Sequence, residues 1–376
     1  MSREHSRPTA FEDLLLRTTL RRDDTHSAYA GLTWPERIST MQTLERYAIA
    51  RAALAGILSG VVAALGVRFA APLWVENPSG VAPQLPYYGL TLGISGLATV
   101  IEIGFLFWDG VRTAVRVGAV AGSLDGEATS QVEDVASMHL SLARAGIETP
   151  PPRTPWRGID PLAESSRLRI LLFALLYKAK VAGTSAVVKG LFRRAAGRVA
   201  GRALARSVVE LAAAPVFAVW NAVVCRRIMR DIRFRALGPH LAQRVLERTF
   251  PGTLRAERPE VQQAALFALR WSIVSAGRRH PNLVLIGHEM FSSATVSLPP
   301  RADRELEAAL MAFDERNRAR MFEFMLQLLA LTGRVSWSER RTLSRIAVQL
   351  GESACEARLR AHGRSMLDGS LLEAPH

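Results

Sequence analysis

Two carboxylates lie in a strongly apolar stretch of the sequence. Glu102 stands inside the run GLATVIEIGFLFWDG, which covers residues 96–110, and Asp109 follows it by seven residues. An ionised carboxylate in hydrocarbon costs several kcal/mol, so such a group is either paired or used to move ions. One hypothesis is a boundary acid that marks a helix–helix contact and is neutralised by Arg112, or by Arg68 on a neighbouring helix. The alternative, a proton- or ion-handling acid, is less favoured because a transporter normally needs more than two spans.

The residues around these acids predict a membrane hairpin. The uncharged stretches 52–67 and 85–101 each reach about 20 residues when one charge is included, the length that a bilayer-spanning helix needs. Between them lies VENPSGVAPQLP, which is rich in proline and glycine and contains no lysine or arginine. The alternative is a pair of buried helices in a soluble core. The two adjacent stretches and their polar turn favour a transmembrane hairpin over residues 48–122.

The charges flanking the hairpin predict its orientation. Basic residues precede the first apolar stretch and follow the second, whereas the connecting turn has none; they are Arg37, Arg46, Arg51, Arg112 and Arg116. The positive-inside rule therefore places both termini in the cytoplasm and the turn outside, in a bacterial inner (plasma) membrane. Aromatic residues fall near the ends of the stretches, as in interfacial belts; they are Trp74, Tyr87, Tyr88 and Trp108.

Two pairs of glycines in the hairpin have the spacing that allows helices to approach closely. Gly56 and Gly60 lie in the first apolar stretch, and Gly89 and Gly93 lie in the second. A glycine every fourth residue clears one side of a helix of side chains, which lets a second backbone pack against it. The sequence therefore permits close helix approach at these glycines.

Basic residues are concentrated in a single segment. The chain carries 48 lysines and arginines against 34 acidic residues, a net charge of +14. Residues 165–209 hold ten of the basic residues and no acidic one, so the basicity is local. Arginines recur every fourth residue from Arg194 to Arg206 and share one side of a helix. This pattern is typical of a helix on an anionic leaflet, where each cation contributes about 1 kcal/mol.

The predicted headgroup-binding residues are Lys189, Arg193, Arg194, Arg198, Arg202 and Arg206. Two alternatives remain, a solvated helical face without a ligand and a nucleic-acid surface. Single-stranded nucleic acid is usually bound by basic residues interleaved with aromatic ones. The segment offers few aromatic residues, so we expect anionic lipid as the partner and no nucleic acid.

A third apolar stretch, 211–225, has arginines on both sides. Its short uncharged core and its positive flanks favour a re-entrant or deeply seated interfacial helix pair, with a true span as the alternative. Asn221 is expected to hydrogen-bond a neighbouring helix, near a kink at Pro215. The pattern APVFAVWNAVVCRRIMRDIRFRALG over 214–238 resembles the apolar, Asn-containing helix of EcsC-like bacterial membrane-associated proteins, with Ala218 where glycine is usual. The resemblance implies membrane association.

Amphipathic helices are predicted for the C-terminal region. PEVQQAALFALRWSIVSAG opens with a proline in its first turn, as helices often do. NLVLIGHEMF fits either a short strand or a helix, and a long helix is expected over 303–332. An apolar stripe on that helix predicts core packing; it comprises Met321, Met325, Leu328 and Leu329.

A helix start with a capping box follows this region. In TGRVSWSERRTLSRIAVQLG, residues 332–351, Ser336 and Glu339 have capping-box spacing after a turn at Gly333. With the preceding FEFMLQLLAL, the region 305–351 resembles TerB-like domains, which are small all-α cytoplasmic modules linked to tellurite resistance and envelope stress. Thr332 replaces the aspartate usual at that family's turn, so no metal site is predicted. The resemblance implies an interaction module.

No motif for catalysis or nucleotide binding occurs in the sequence. Walker A, GxGxxG, GxSxG and HExxH patterns are all missing, and the eight histidines are scattered. We therefore predict a non-enzymatic protein without a cofactor, catalytic residue or metal ligand. It would present a helical module to an unknown protein partner in envelope stress or organisation, and it could form a homo-oligomer. The alternatives are a small oligomeric channel or transporter that uses the intramembrane carboxylates, and an enzyme acting on lipid headgroups.

The predicted fold is all-α and has five segments. A cytoplasmic N-terminal helical segment (1–47) precedes the hairpin (48–122), and a polar helix with a Pro-rich linker (123–164) follows it. A basic membrane-associated helical region (165–250) then leads to a C-terminal cytoplasmic helical bundle (251–376). Within the third segment, the helix is placed at 129–145 and the linker at 149–161. The linker is TPPPRTPWRGIDP, whose prolines do not sustain a helix.

Overall fold

The computed structural model describes residues 29, 31–75, 82–123, 141–142, 145, 156–157, 159, 204–277, 279–294 and 303–373. For 204–213, 303–305 and 338 it describes the backbone alone. Throughout this described part the fold is helical, as predicted, and the only pairing of extended backbone is an antiparallel bridge between Trp156 and Ile159.

Eleven α-helices lie wholly within the described residues. The first three are long: α1 (Trp34–Ala70), α2 (Leu85–Ala121) and α3 (Leu204–Ala236). The others are α4 (Gly238–Thr249), α5 (Pro259–Ala276), α6 (Pro281–Ser293), α7 (Asp303–Ala312), α8 (Glu315–Ala330), α9 (Trp337–Leu350), α10 (Cys355–Leu367) and α11 (Ser370–Glu373). Short 3-10 helices lie at Ala71–Leu73, Ala82–Gln84 and Leu254–Ala256.

The chain divides into two compact units. The hairpin unit comprises Glu45–Gly110 and Ser166–Ile228, and the C-terminal unit comprises Met1–Leu44, Val111–Ser165 and Met229–His376. Both units are therefore built from stretches that are separated in sequence. We describe each unit by itself.

In the hairpin unit, α1 and α2 are long and apolar enough to cross a membrane. At the end of α1, Trp74 makes edge-to-face contacts with Tyr87 and Tyr88, with ring centroids 5.0 and 6.3 Å away. The side chain of Gln84 donates a hydrogen bond to the carbonyl of Val75 at 2.7 Å. These contacts join the end of α1 to the start of α2, where the sequence predicted interfacial aromatics.

The third apolar stretch forms part of one unbroken helix, α3, so the predicted helix pair is wrong. Pro215 lies inside α3, where a proline removes one backbone donor. Gly60 brings the backbone of α1 against Ala214; a Cβ on Gly60 would lie 2.8 Å from the Ala214 Cα. A Cβ on Gly56 would lie 2.8 Å from the carbonyl carbon of Phe217. The close contact between α1 and α3, which we call the seam, therefore involves residues on both sides of Pro215.

The close approach that the spacing permits at the first glycine pair is present at that seam. At the second pair, no described residue lies within 4 Å of where a Cβ on Gly89 or Gly93 would be. In the same unit, Gly66 of α1 packs against Ile94 of α2. Glycines therefore mediate contacts of α1 with both of its helical neighbours.

The C-terminal unit is organised around two helices that are buried along most of their length, α5 and α8. Helix α8 packs against α5 and α10, and α4 packs against α6. The stripe predicted as core is fully buried; Met321, Met325, Leu328 and Leu329 are at most 1% exposed. Helix α5 begins at Pro259, as predicted, and ends at Gly277, which adopts a left-handed conformation (φ 60°).

The structure settles one open alternative in this unit and corrects one prediction. NLVLIGHEMF is helical and lies in α6. The single long helix expected over 303–332 is wrong, because the chain breaks between Ala312 and Glu315 into α7 and α8. The Asp314 side chain caps α8 by accepting a hydrogen bond from the Asn317 N–H at 2.8 Å. An aspartate at this position favours a new helix start over continuation of the old helix.

The capping box at the start of α9 is confirmed. The Ser336 hydroxyl accepts a hydrogen bond from the Glu339 N–H, and the Glu339 carboxylate accepts one from the Ser336 N–H. Gly333 turns the chain just before it with φ 66°. Thr332 is buried, and its hydroxyl lies within hydrogen-bond distance of the carbonyls of Leu329 and Arg334, so this side chain holds the turn.

Several sequence predictions fall largely outside the described residues. Of the polar helix at 129–145, Ser141, Leu142 and Ala145 are described and are helical. Of the linker at 149–161, Trp156 forms the bridge to Ile159 and stacks edge-on against Phe291, with ring centroids 5.7 Å apart. The basic segment lies outside the described part up to residue 203, so the arrangement of its predicted headgroup-binding residues remains a prediction.

Candidate functional site

The hairpin unit places Glu102 against Asn221. The Asn221 amide on α3 donates a 2.6 Å hydrogen bond to Glu102 Oε1 on α2. The same amide lies 3.3 Å from the carbonyl of Ala52 on α1, so one side chain links all three helices. Both polar residues were predicted from the sequence to contact a neighbouring helix, but an arginine was expected as the partner of Glu102. The partner is an amide because Gly56 brings α1 and α3 together at the level of Asn221.

The second acid, Asp109, forms an ion pair in the same unit. Arg51 Nε donates to Asp109 Oδ1 at 2.9 Å, which joins α1 to α2. The Asp109 side chain is 8% exposed and that of Arg51 is 42% exposed, so the pair opens to solvent on the arginine side. The fourth predicted polar residue, Arg68, is exposed and forms no ion pair with a described residue. Three of the four predicted intramembrane polar residues therefore make helix–helix contacts.

In the C-terminal unit, Glu323 lies between the side chains of His362 and Arg358. It contacts His362 Nε2, and its other carboxylate oxygen accepts a hydrogen bond from Arg358 at 2.5 Å. Arg358 also pairs with Glu352 at 2.6 Å. The hydrogen bond to His362 acts against burial and, together with Arg358, lowers the pKa of Glu323 to about 2. Glu323 is therefore ionised at neutral pH and serves as a structural anion between α8 and α10.

A more deeply buried acid lies where α3 approaches α6. Asp231 pairs with the buried Arg235 at 2.9 Å, and His280 Nε2 lies 3.9 Å from it. Burial raises the pKa of Asp231, but Arg235 and His280 outweigh it, so the pKa lies well below its usual range. His280 Nδ1 accepts the Asn282 N–H and caps α6. These contacts position α3 and α6.

The C-terminal unit also contains a cleft with a basic rim. It measures about 500 Å³ and lies between α3, the turn before α9, and α10. Its charged lining residues are Arg230, Arg340, Arg360, Arg364 and Glu356. Its floor is apolar or small; Phe234, Ala330, Gly333, Val335, Ala357, Leu359 and Gly363 form it. This arginine cleft is a candidate ligand site, because it combines like charges with an apolar floor.

The arginine cleft was not predicted from the sequence. Its residues come from three regions far apart in the chain, around 230, 335 and 360. The available signal was the four-residue spacing of Glu356, Arg360 and Arg364, which places all three on one face of α10. Within the described residues no group of three or more metal-ligating side chains converges.

Comparison of the chain with protein-family models, with curated proteins and with solved structures finds no match. The EcsC-like and TerB-like resemblances therefore remain predictions from short sequence patterns.

Proposed function

We propose that the protein is a non-enzymatic membrane protein that is anchored by α1 and α2 and presents its C-terminal unit to a partner protein. The observation that carries the proposal is the exposure of large apolar side chains along both helices. On α2, for example, Leu92 is 69% exposed, Leu97 63% and Val100 68%. Contiguous apolar surface of this extent is costly in water and is typical of a face covered by lipid or by another protein.

The length of the exposed apolar band fits a bilayer. Each helix has 37 residues and is about 55 Å long. Exposed large apolar residues run from Leu54 to Leu73 at the end of α1 and from Leu85 to Ile103 on α2. Each band covers about 20 residues, or roughly 30 Å, which is the thickness of the hydrocarbon core.

The environment of α2 changes beyond this band. In the C-terminal unit the apolar residues of the same helix are buried, including Val111, Val115 and Val117. One helix thus carries an exposed apolar portion suited to lipid and a portion buried by protein. This change supports a membrane boundary between about residues 104 and 111.

The polar contacts of the hairpin unit support anchoring more than conduction. Glu102 and Asp109 are each engaged by a side chain of another helix, Asn221 and Arg51. A buried polar group that is satisfied in this way strengthens helix association in the membrane. We therefore assign these acids to holding α1, α2 and α3 together.

The location, orientation and lipid contacts that we propose rest on the distribution of charge, and the biological process rests on a sequence resemblance. The arginines that flank the hairpin, and a turn without lysine or arginine, support a bacterial inner membrane location with both termini in the cytoplasm. The basic segment 165–209 would then lie near anionic headgroups. Envelope stress or organisation is the process that the TerB-like resemblance implies for such a protein.

Alkaline extraction of membranes from expressing cells tests the anchor. The wild-type protein is expected to stay in the membrane pellet at high pH. The double substitution Leu92→Glu and Leu97→Glu should release it or lead to its degradation, since a central charge costs about 2 to 4 kcal/mol. The matched control is Met311→Glu with Val348→Glu, two exposed apolar residues of the C-terminal unit. Extraction of the wild-type protein as a folded, soluble species would disprove membrane anchoring.

A further inference from the structure

We propose that the arginine cleft binds an acidic peptide segment of a partner protein that carries both carboxylates and apolar side chains. This inference rests on the proposed interaction role of the C-terminal unit and specifies the chemistry of the partner. Four arginines and one glutamate line the cleft, which gives it a net charge of +3. Like charges gathered in one concave surface raise the local concentration of a complementary anion.

Three of the four arginines are available to a ligand. Arg340, Arg360 and Arg364 are exposed, and none of them forms an ion pair with a residue in the described part of the chain. Arg360 Nε donates to the backbone carbonyl of Glu356 at 3.2 Å, which fixes its stem along α10. Arg358, by contrast, is held by Glu323 and Glu352 and lies outside the cleft lining. The neighbouring acids therefore neutralise Arg358 and leave the cleft basic.

The floor of the cleft indicates an apolar component in the ligand. Val335 and Ala357 are the apolar lining residues with accessible surface, whereas Phe234, Leu359 and Ala330 are buried. Two further lining residues, Gly333 and Gly363, have no side chain. A ligand that offered only charge would leave Val335 and Ala357 in contact with water. Leucine- or phenylalanine-like side chains between carboxylates would cover these two residues and gain the free energy of apolar burial.

Other anionic ligands fit this cleft less well. A lipid headgroup presents a phosphate to the arginines but nothing apolar at the same depth. Nucleic acid is usually held by aromatic stacking, and Phe234, the aromatic residue of the lining, is 1% exposed and unable to stack. Arginine forms bidentate contacts with carboxylates, and a peptide can place several of them along a rim. The partner is therefore an acidic, amphipathic protein segment.

Fluorescence anisotropy on the full chain in detergent tests this assignment. The probe is a fluorescein-labelled peptide of alternating glutamate and leucine, and its counterpart has glutamine for glutamate. We expect the acidic peptide to bind at least tenfold more tightly than its counterpart. The double substitution Arg340→Gln and Arg364→Gln should weaken binding at least tenfold. The matched control is Arg255→Gln with Arg316→Gln, two exposed arginines of the same unit outside the cleft, and should change binding less than twofold.

Charge reversal provides a test that does not depend on loss of binding. The double substitution Arg340→Glu and Arg364→Glu should transfer the preference to a peptide of alternating lysine and leucine. Equal weakening by the cleft and control pairs would overturn the proposal, as would displacement of the peptide by glycerol phosphate at equal concentration, which would identify a phosphate site. Because the assay is done in detergent, its failure leaves the membrane-extraction result untouched. The two proposals are therefore separable.

Discussion

Substitution of Asn282 by alanine is expected to lower the free energy of unfolding of the C-terminal unit by about 3 kcal/mol. Asn282 is fully buried, and its amide donates to the carbonyls of Phe234 at 2.7 Å and Leu331 at 2.9 Å. These carbonyls belong to the end of α3 and to the residue that follows α8. Loss of the amide leaves two buried acceptors without this donor, at about 1 to 3 kcal/mol each.

Urea unfolding in detergent, followed by tryptophan fluorescence, measures this effect. The matched control is Asn317→Ala, because the Asn317 side chain donates to Asp314 at the protein surface. We expect the control to change stability by less than about 1 kcal/mol. An Asn282→Ala protein as stable as the control would show that the asparagine does not hold α3 and α8 together.

Substitution of Gly333 by alanine is the second change with a large expected effect, a destabilisation of about 2 to 4 kcal/mol. Gly333 has φ 66°, a conformation in which an alanine is strained by about 1 kcal/mol. A Cβ at this position would also collide with the ring of Phe234, which is buried and has little room to move. Overpacking of this kind adds about 1 to 3 kcal/mol.

Gly351 offers a matched control for this substitution. It has φ 71°, and no described residue lies within 4 Å of where a Cβ would be, so Gly351→Ala should show the backbone strain alone. The difference in unfolding free energy between the two variants isolates the contact with Phe234. Equal destabilisation by both substitutions would contradict the packing that we describe beneath the arginine cleft.

Local features of the fold could be predicted from the sequence because neighbouring residues determine them. The capping box of Ser336 and Glu339 and the proline start of α5 are examples. The break between α7 and α8 was missed because the apolar period continues across it. The signal was Asp314, whose side chain competes for the backbone N–H groups of a new helix.

Contacts between distant segments could not be predicted, because no local pattern encodes them. Asn221 was expected to bond a neighbouring helix, but Glu102 as its partner depends on the packing of Gly56 against α3. Arg51 was assigned to the flank of the hairpin and pairs instead with Asp109. The unbroken helix through Pro215 likewise depends on tertiary packing, which overrides the local preference of proline.

Spin labelling in liposomes tests the membrane hairpin most directly, because it measures the lipid exposure of α1 and α2. Labels would be placed at Leu58→Cys, Leu97→Cys and Val348→Cys after replacement of Cys225 and Cys355 by serine. All three positions carry exposed apolar side chains. We predict that the labels at 58 and 97 relax with oxygen, which partitions into hydrocarbon, and not with a water-soluble nickel chelate. The label at 348 should show the opposite preference. Nickel accessibility at 58 and 97 equal to that at 348 would contradict the membrane hairpin.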